Sequence, residues 1–383
     1  VRTVPDAALV WRDGCILWSG PRTLLPPEHL HADTVSAGGG LVVPGLIDCH
    51  THLAFAGWRA DEFEERILGR SYLDIARAGG GIQRTVAQTR AASEDALFER
   101  CASHLREMAA LGVTTVECKS GYGLDVEHEV KLLTVYQRLS ATQSLRIIPT
   151  LLAAHAVAPE FGGRRNAYLR LVTRDIIPRV VHAGLARFCD VFVEEAAFSL
   201  EEARRVLAAA SALGLRAKLH ADQLSDGGGA RLAAEVHAVS ADHLEQISAD
   251  GIACLAAAHV VAVSLPFAAL YLGARPMPAR ALLAAGVPVA VATDFNPGTA
   301  PSFHLPLAMT LACTLQRMTP AEAFCGATLV AAAALDRHDE LGALDPGYAA
   351  DFAVIDAPDV ETWLYHFRAN ACRQTWVGGQ RVH

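Results

Sequence analysis

The chain predicts an α/β fold, a (β/α)8 TIM-like barrel joined to a small β-sandwich domain built from both chain termini. Three observations carry this. Between residues 44 and 330, short apolar β-branched runs alternate with longer Ala-, Leu- and Arg-rich stretches of helical period. The runs number eight, and eight strand-helix units close as a parallel barrel. Outside that block, residues 1–43 and 331–383 read as short strands with tight turns, which places both ends of the chain in one small β domain.

The candidate strands are Leu41 to Cys49, Val113 to Lys119, Arg146 to Ala154, Cys189 to Glu194, Arg216 to Leu219, Ser240 to Asp242, Val260 to Leu265 and Pro288 to Thr293. Of the helices between them, Ser93 to Leu111 opens on Ser93-Glu94-Asp95, an N-cap followed by early acidic residues. Leu200 to Leu213 stops at Gly214. In the flanks, Ala8 to Ser19 alternates and turns at Asp13-Gly14, while Asp351 to Ile355 and Thr375 to Val382 are strand-like, the latter broken by Gly378-Gly379.

Composition narrows the function. The 383 residues suit one large barrel and one minor domain. Gly, Pro and charged residues interrupt every apolar run before the ~18 residues of a membrane span, so no transmembrane helix is expected. A formal charge of -8 with no Lys/Arg cluster argues against nucleic acid and for a small-molecule partner. Nine cysteines at irregular spacing fit a reducing, cytoplasmic setting and not a disulfide framework. Cys118 and Cys189 read as buried small hydrophobes, and Cys49, expected on the face opposite its neighbouring histidines, reads as neither ligand nor nucleophile. The start at Val1, with no basic and apolar leader, reads as a trimmed N-terminus that has lost a strand of the small domain.

Chemistry in such a barrel sits where strands end. The run Val43 to His52 ends in His50-Thr51-His52, and residues two apart on a strand aim the same way, so both imidazoles converge on one point. Imidazole pairs suit zinc and other first-row metals. The remaining strand ends carry Lys119 to Gly123, His155, Glu194 and Glu195, His220, His243 and Asp294. One histidine at a strand end is more often a hydrogen-bonded core residue than a ligand. Five at matching positions point to a metal centre. His29, His31, His104, His128, His182, His237, His338 and His366 fall in helical or flanking segments and are expected at the surface.

The paired histidines after Pro44-Gly45-Leu46-Ile47-Asp48, His220, His243 and Asp294 resemble the amidohydrolase superfamily. Within it the imidazolonepropionase family is similar through Asp48 to His52, Arg59, Gly79-Gly80-Gly81-Ile82, Lys119 to Gly123, Ala154-His155-Ala156, Lys218 to Gln223, Ser240 to Glu245 and Asp294 to Thr299. The resemblance implies one divalent or trivalent metal ion, zinc or iron, held by His50, His52, His220 and Asp294. It implies hydrolysis of the cyclic amide of 4-imidazolone-5-propanoate to N-formimidoyl-L-glutamate. Arg59 would hold the propionate, and Tyr122, in a Gly-Tyr-Gly turn flexible enough to reach the ligand, would bind substrate. His155 and His243 would donate to the ring carbonyl or shuttle protons. Asn296, Gly298 and Thr299 would contact substrate and product, and Asp294 would accept the proton of the attacking water.

Three departures from that pattern bear on detail. Gln223 stands where related enzymes often have glutamate; its amide can position a ring nitrogen but cannot titrate, which leaves the proton relay to Asp294, His243 and Asp222. Phe267 replaces a usual glycine, so the loop after strand seven is expected to differ. Trp58 replaces a smaller polar residue before Arg59. Alternatives on the same scaffold are a deaminase, against which Gln223 tells, and a two-metal cyclic amidase, which needs a bridging group where this chain has Glu194 and Glu195. A binding protein with a degenerate site is the reading from another class, and the complete ligand set tells against it. A barrel with a small side domain commonly pairs, so a homodimer is expected.

Overall fold

A computed structural model describes residues 2–70, 74–75, 78–195 and 197–383. In chain order its strands are β1 (Ala7–Arg12), β2 (Cys15–Pro21), β3 (Leu41–Pro44), β4 (Leu46–Asp48), β5 (Val113–Lys119), β6 (Arg146–Ala154) and β7 (Phe188–Val193). They continue with β8 (Arg216–Ala221), β9 (Ser240–His243), β10 (Val261–Ser264), β11 (Val289–Val291), β12 (Phe352–Ile355), β13 (Cys372–Val377) and β14 (Gln380–Arg381). Strands β4 to β11 form one parallel sheet in sequence order, the expected eight-stranded ring. Its seam is closed past the strand ends, where Thr51 bridges Phe295 and His52 N donates to Phe295 O at 2.9 Å.

Helices cover the outside. Ser93 caps Glu94–Ala110 by accepting from Ala96 N, and Ser199 with Glu202 forms a capping box on Leu200–Ser211. Their buried faces meet outward-facing Val116, Cys118, Cys189, Val191 and Leu219 in the main apolar cluster. Cys49 is fully buried with Ile47, Phe188 and Ala290 in a second cluster, and burial pushes its thiol well above the ordinary range. It offers neither a ligand nor a nucleophile.

The flanks pair as expected. β3 from the N-terminal side lies antiparallel to β12, which pairs with β13 and then β14. The β1–β2 hairpin packs on this sheet through Trp11, whose ring lies 5.2 Å from Phe352 and 5.6 Å from Trp376.

Two expectations fail. The run Leu41 to Cys49 is not one strand but two, because Gly45 switches the backbone between sheets. Gly45 N donates to Asp351 O at 2.9 Å, whereas Leu46 N turns to Gly112 O at 2.9 Å. His104 is not a surface residue. Its ring sits among Phe55, Trp58, Phe295 and Phe303, both its nitrogens are buried without a hydrogen-bond partner, and burial lowers its pKa to about 4.

A Cβ at Gly45 would stand 2.3 Å from Cγ2 and Oγ1 of Thr114, whose branched side chain has little room to turn. Gly45→Ala is expected to cost about 1–3 kcal/mol, read as a lower urea midpoint. For His104 the folded pKa lies below the unfolded value, so stability is intact above pH 6.5 and is lost as pH falls from 6.5 toward about 4. His104→Phe should flatten that loss, measured as a shallower decline of the thermal midpoint across this window.

Candidate active site

Regular strand geometry ends at Asp48, and Asp48 ties the seam by accepting from Thr293 N at 3.1 Å and Thr293 Oγ1 at 2.6 Å. This anchors the two segments that follow, His50 to His52 and Asp294 to Thr299, against each other. Nε2 of His50 and Nε2 of His52 each lie 3.4 Å from Asp294 Oδ1, and His52 Nε2 lies 3.4 Å from His220 Nε2. Four ligands about 2.1 Å from a tetrahedral centre stand about 3.4 Å apart. The cluster therefore has the spacing of a metal site.

The donor atoms are also prepared for one. His50 Nδ1 donates to Asp242 Oδ2 at 2.6 Å, and His220 Nδ1 lies 3.1 Å from Asp190 Oδ1. A carboxylate on Nδ1 fixes the proton there and leaves Nε2 as a lone pair. His50 Nε2 is buried with no hydrogen-bond partner. Burial and the Lys119 charge disfavour a protonated His50, yet Asp242 and Asp294 outweigh them and hold its pKa up at about 9. Burial lowers His220 to about 3, while Asp294, despite burial, stays well below the usual carboxylate range beside His50 and His52. The carboxylates draw positive charge to the centre, where a proton on His50 answers them as a metal cation would, and among the described residues His50, His52 and Asp294 meet the spacing of a metal-holding group. Oxygen and nitrogen donors of this kind suit a first-row metal.

Above the cluster lies an open cavity of about 530 Å3 lined by His52, Arg59, Tyr122, His155, His220, Gln223, His243, Asp294, Asn296 and Thr299. Nearly all the expected site residues meet there; Ile82, the end of the Gly79-Gly80-Gly81-Ile82 run, is an apolar wall, and Phe192, Leu224 and Leu272 add others that the sequence did not single out. Arg59 is 5% exposed, and its Nη1 is buried without a hydrogen-bond partner. Glu62 Oε2 approaches its Nε at 3.4 Å. A buried guanidinium with unused donors is a site for an anion. His155 lies with Nδ1 3.1 Å from Gly121 O, an atom that only accepts, so Nδ1 carries the proton and Nε2 is an acceptor. Burial and the neighbouring His52 and His220 hold its pKa well below 6.5, which keeps it neutral.

Several expectations need correcting. The Gly121-Tyr122-Gly123 turn is pinned, not flexible: the buried carboxylate of Glu129 accepts from N of Gly121, Gly123 and Leu124. Asp222 is not available to move protons, because it accepts from Gly229 N at 2.8 Å and Ala230 N at 2.9 Å and does not line the cavity. Glu194 is engaged by a loop: it accepts from Leu224 N at 2.6 Å and Ser225 Oγ at 2.8 Å, holding the loop that presents Gln223. Asn296 keeps its place on the cavity wall while its amide also ties its own loop, with Oδ1 accepting from Gly298 N and Thr299 N, both at 2.8 Å. Gly298 does not line the cavity. It is the surface on which Arg59 rests, since a Cβ there would stand 1.1 Å from Arg59 Nη2. Phe267 is buried in the helix Pro266–Leu272 and is absent from the lining, and Trp58 packs on Phe55.

The family model described as Amidohydrolase family matches residues 41–382. The imidazolonepropionase of Cupriavidus pinatubonensis is 47% identical over 370 residues, covering 96% of this chain and 88% of that protein. Imidazolonepropionases of Ralstonia nicotianae, 50% identical over 93% of this chain and 88% of theirs, and Geobacillus kaustophilus, 47% identical over 97% and 89%, are similar to it. Among solved structures, a 5-methylcytosine deaminase from Klebsiella pneumoniae superposes with a TM-score of 0.77 at 15% identity, covering 98% of this chain and 94% of that one, which shows the shared fold.

Proposed function

Because the chain belongs to the amidohydrolase family and, within it, to the imidazolonepropionases, we propose that its cavity hydrolyses the ring amide of 4-imidazolone-5-propanoate to N-formimidoyl-L-glutamate. The enzyme is a hydrolase acting on C–N bonds in histidine degradation. The observation that carries the site reading is Arg59, a buried cation with unused donors on the wall of the cavity that His52, His220 and Asp294 also line. It matches a substrate with a carboxylate tail and a reactive ring.

His50, His52, His220 and Asp294 would hold one zinc or iron ion, which supplies Lewis acidity and lowers the pKa of water toward neutrality when bound. The side chains do the rest. Arg59 binds the propionate, and the Gly298 surface sets its depth. His155, with Nε2 free to accept, takes a ring N–H; in this tautomer Nε2 is no donor to the ring carbonyl, the first of the two roles expected of it. Gln223 contributes an amide hydrogen bond, and Tyr122 and Thr299 complete the substrate contacts. Asp294, ionised, accepts a proton from the attacking water as the new C–O bond forms at the ring carbonyl carbon. The C–N bond then breaks, and the proton passes to the departing nitrogen from Asp294, with His243 beside it as the second transfer group.

Residues 1–43 with 331–383 would form the small β domain, and 44–330 the catalytic barrel. We also propose that the enzyme works in the cytoplasm as a homodimer on a small molecule, with neither nucleic acid nor membrane as partner. The net charge of -8 supports a partner other than nucleic acid and the nine unpaired cysteines support a reducing compartment, and among the described residues no helix is long and apolar enough to cross a membrane.

Loss of ring ultraviolet absorbance from freshly generated 4-imidazolone-5-propanoate should follow addition of enzyme, stop with a chelator and return with zinc or iron. Asp294→Ala should lower kcat by ~10²–10⁴-fold. Metal-replete protein that leaves the substrate untouched would redirect the assignment to another cyclic amide. Gly298→Ala should push the Arg59 guanidinium out of place and raise KM roughly 10- to 100-fold with a smaller change in kcat, as expected for a contact made equally in ground and transition states; an unchanged KM would remove Arg59 from substrate binding.

A further inference from the structure

Beneath the histidines the barrel interior holds Glu117, Asp190, Asp242, Lys119 and Lys218, all fully buried. Buried charges persist only when each is paired and hydrogen-bonded. Lys119 Nζ lies 2.7 Å from Asp190 Oδ2, 3.1 Å from Glu117 Oε1 and 3.3 Å from Asp242 Oδ2. Two of these carboxylates are the ones that hold His220 and His50 by Nδ1. Lys218 Nζ reaches Glu117 Oε2 at 2.9 Å and Cys49 O at 3.4 Å, and it pairs with neither of the two carboxylates that hold the imidazoles by Nδ1.

We propose that Lys119 is a positioning residue of the metal site, a single ammonium that sets Asp190 and Asp242 together and through them aims Nε2 of His220 and His50 at the ion. This rests on the reading of those histidines as ligands. One ammonium shared by two carboxylates couples the two imidazoles, so that neither can rotate without breaking a buried ion pair. The same ammonium answers the cluster of His50, Glu117 and Asp242, whose ligand atoms lie within 4.8 Å of one another. Lys119 supplies positive charge there and leaves one metal position above it. Burial disfavours the charged amine, but Asp190, Glu117 and Asp242 outweigh burial and keep Lys119 more firmly protonated than an ordinary lysine.

The test uses the full chain stripped of metal and reloaded with Co(II), with affinity read by chelator competition and ligand geometry by the visible absorption spectrum. Lys119→Met should weaken Co(II) binding roughly 10- to 100-fold, the range for loss of groups that orient ligands, and alter the spectrum. Lys218→Met removes a buried ammonium of equal charge and should leave both readouts close to those of the unaltered protein. If Lys119→Met shows no cooperative thermal transition, Lys119→Gln, with a neutral donor of similar reach, takes its place. Unchanged affinity and spectrum in the Lys119 variant, or an equal loss in Lys218→Met, overturns the proposal. Failure of the unaltered protein to bind Co(II) overturns it together with the ligand reading, whereas tight Co(II) binding without hydrolysis counts against the substrate alone, and the predicted loss in Lys119→Met then still supports the positioning role.

Discussion

The hydrogen bond from His50 Nδ1 to Asp242 Oδ2, 2.6 Å long and closed to solvent, is the constraint around which the centre is built. A free imidazole presents either nitrogen. Pinned in this way, His50 presents only Nε2, and presents it in one direction. The carboxylate that pins it would be costly in the barrel interior alone. Ser240 Oγ donates to its other oxygen at 2.6 Å and Lys119 supplies the counter-charge. The buried charges inside the barrel are thus tied to the one fixed orientation of the imidazole above them.

The loops around the cavity follow a second rule. Glu129, Glu194, Asp222 and Asn296 each accept hydrogen bonds from backbone N–H groups of the loop that carries a site residue. Short loops fixed to rigid strands hold side chains where a reaction needs them before substrate arrives. Apolar walls from Phe192 and Leu272 then narrow the space left to solvent.

The sequence made the ring legible because parallel strands buried on both faces read as short runs rich in apolar and β-branched residues. Val113 to Lys119 and Arg146 to Ala154 were placed to the residue. Leu41 to Cys49 was not, since a change of hydrogen-bonding partner at Gly45 leaves the residue pattern continuous. Histidines and Asp294 at strand ends stood out by type and position. Asp190, Asp242 and Lys218 did not, although each interrupts an apolar strand, Lys218 and Asp242 within two residues of a candidate histidine and Asp190 four before Glu194, and that interruption was the available signal. Tyr122 looked mobile because its turn holds two glycines; the carboxylate that fixes it comes from Glu129 in the next helix, and only tertiary structure brings it back. His104 has helical surroundings that resemble a solvated face, and nothing local reports that aromatic rings from three other segments close over it.

The seam between β4 and β11 has a bearing on how the molecule is made. His50 and His52 follow the first barrel strand and Asp294 the last, and β3 pairs with β12. A chain emerging from the ribosome therefore displays the first two residues of the candidate metal centre long before His220 and Asp294 are synthesised, and its early sheet edge waits unpaired for the C-terminal segment. Pairings between distant parts of a chain form late and slowly. Catalytic competence and ring closure arrive in the same final step, so a nascent or shortened chain that lacks Asp294 has neither a complete reactive centre nor a closed barrel.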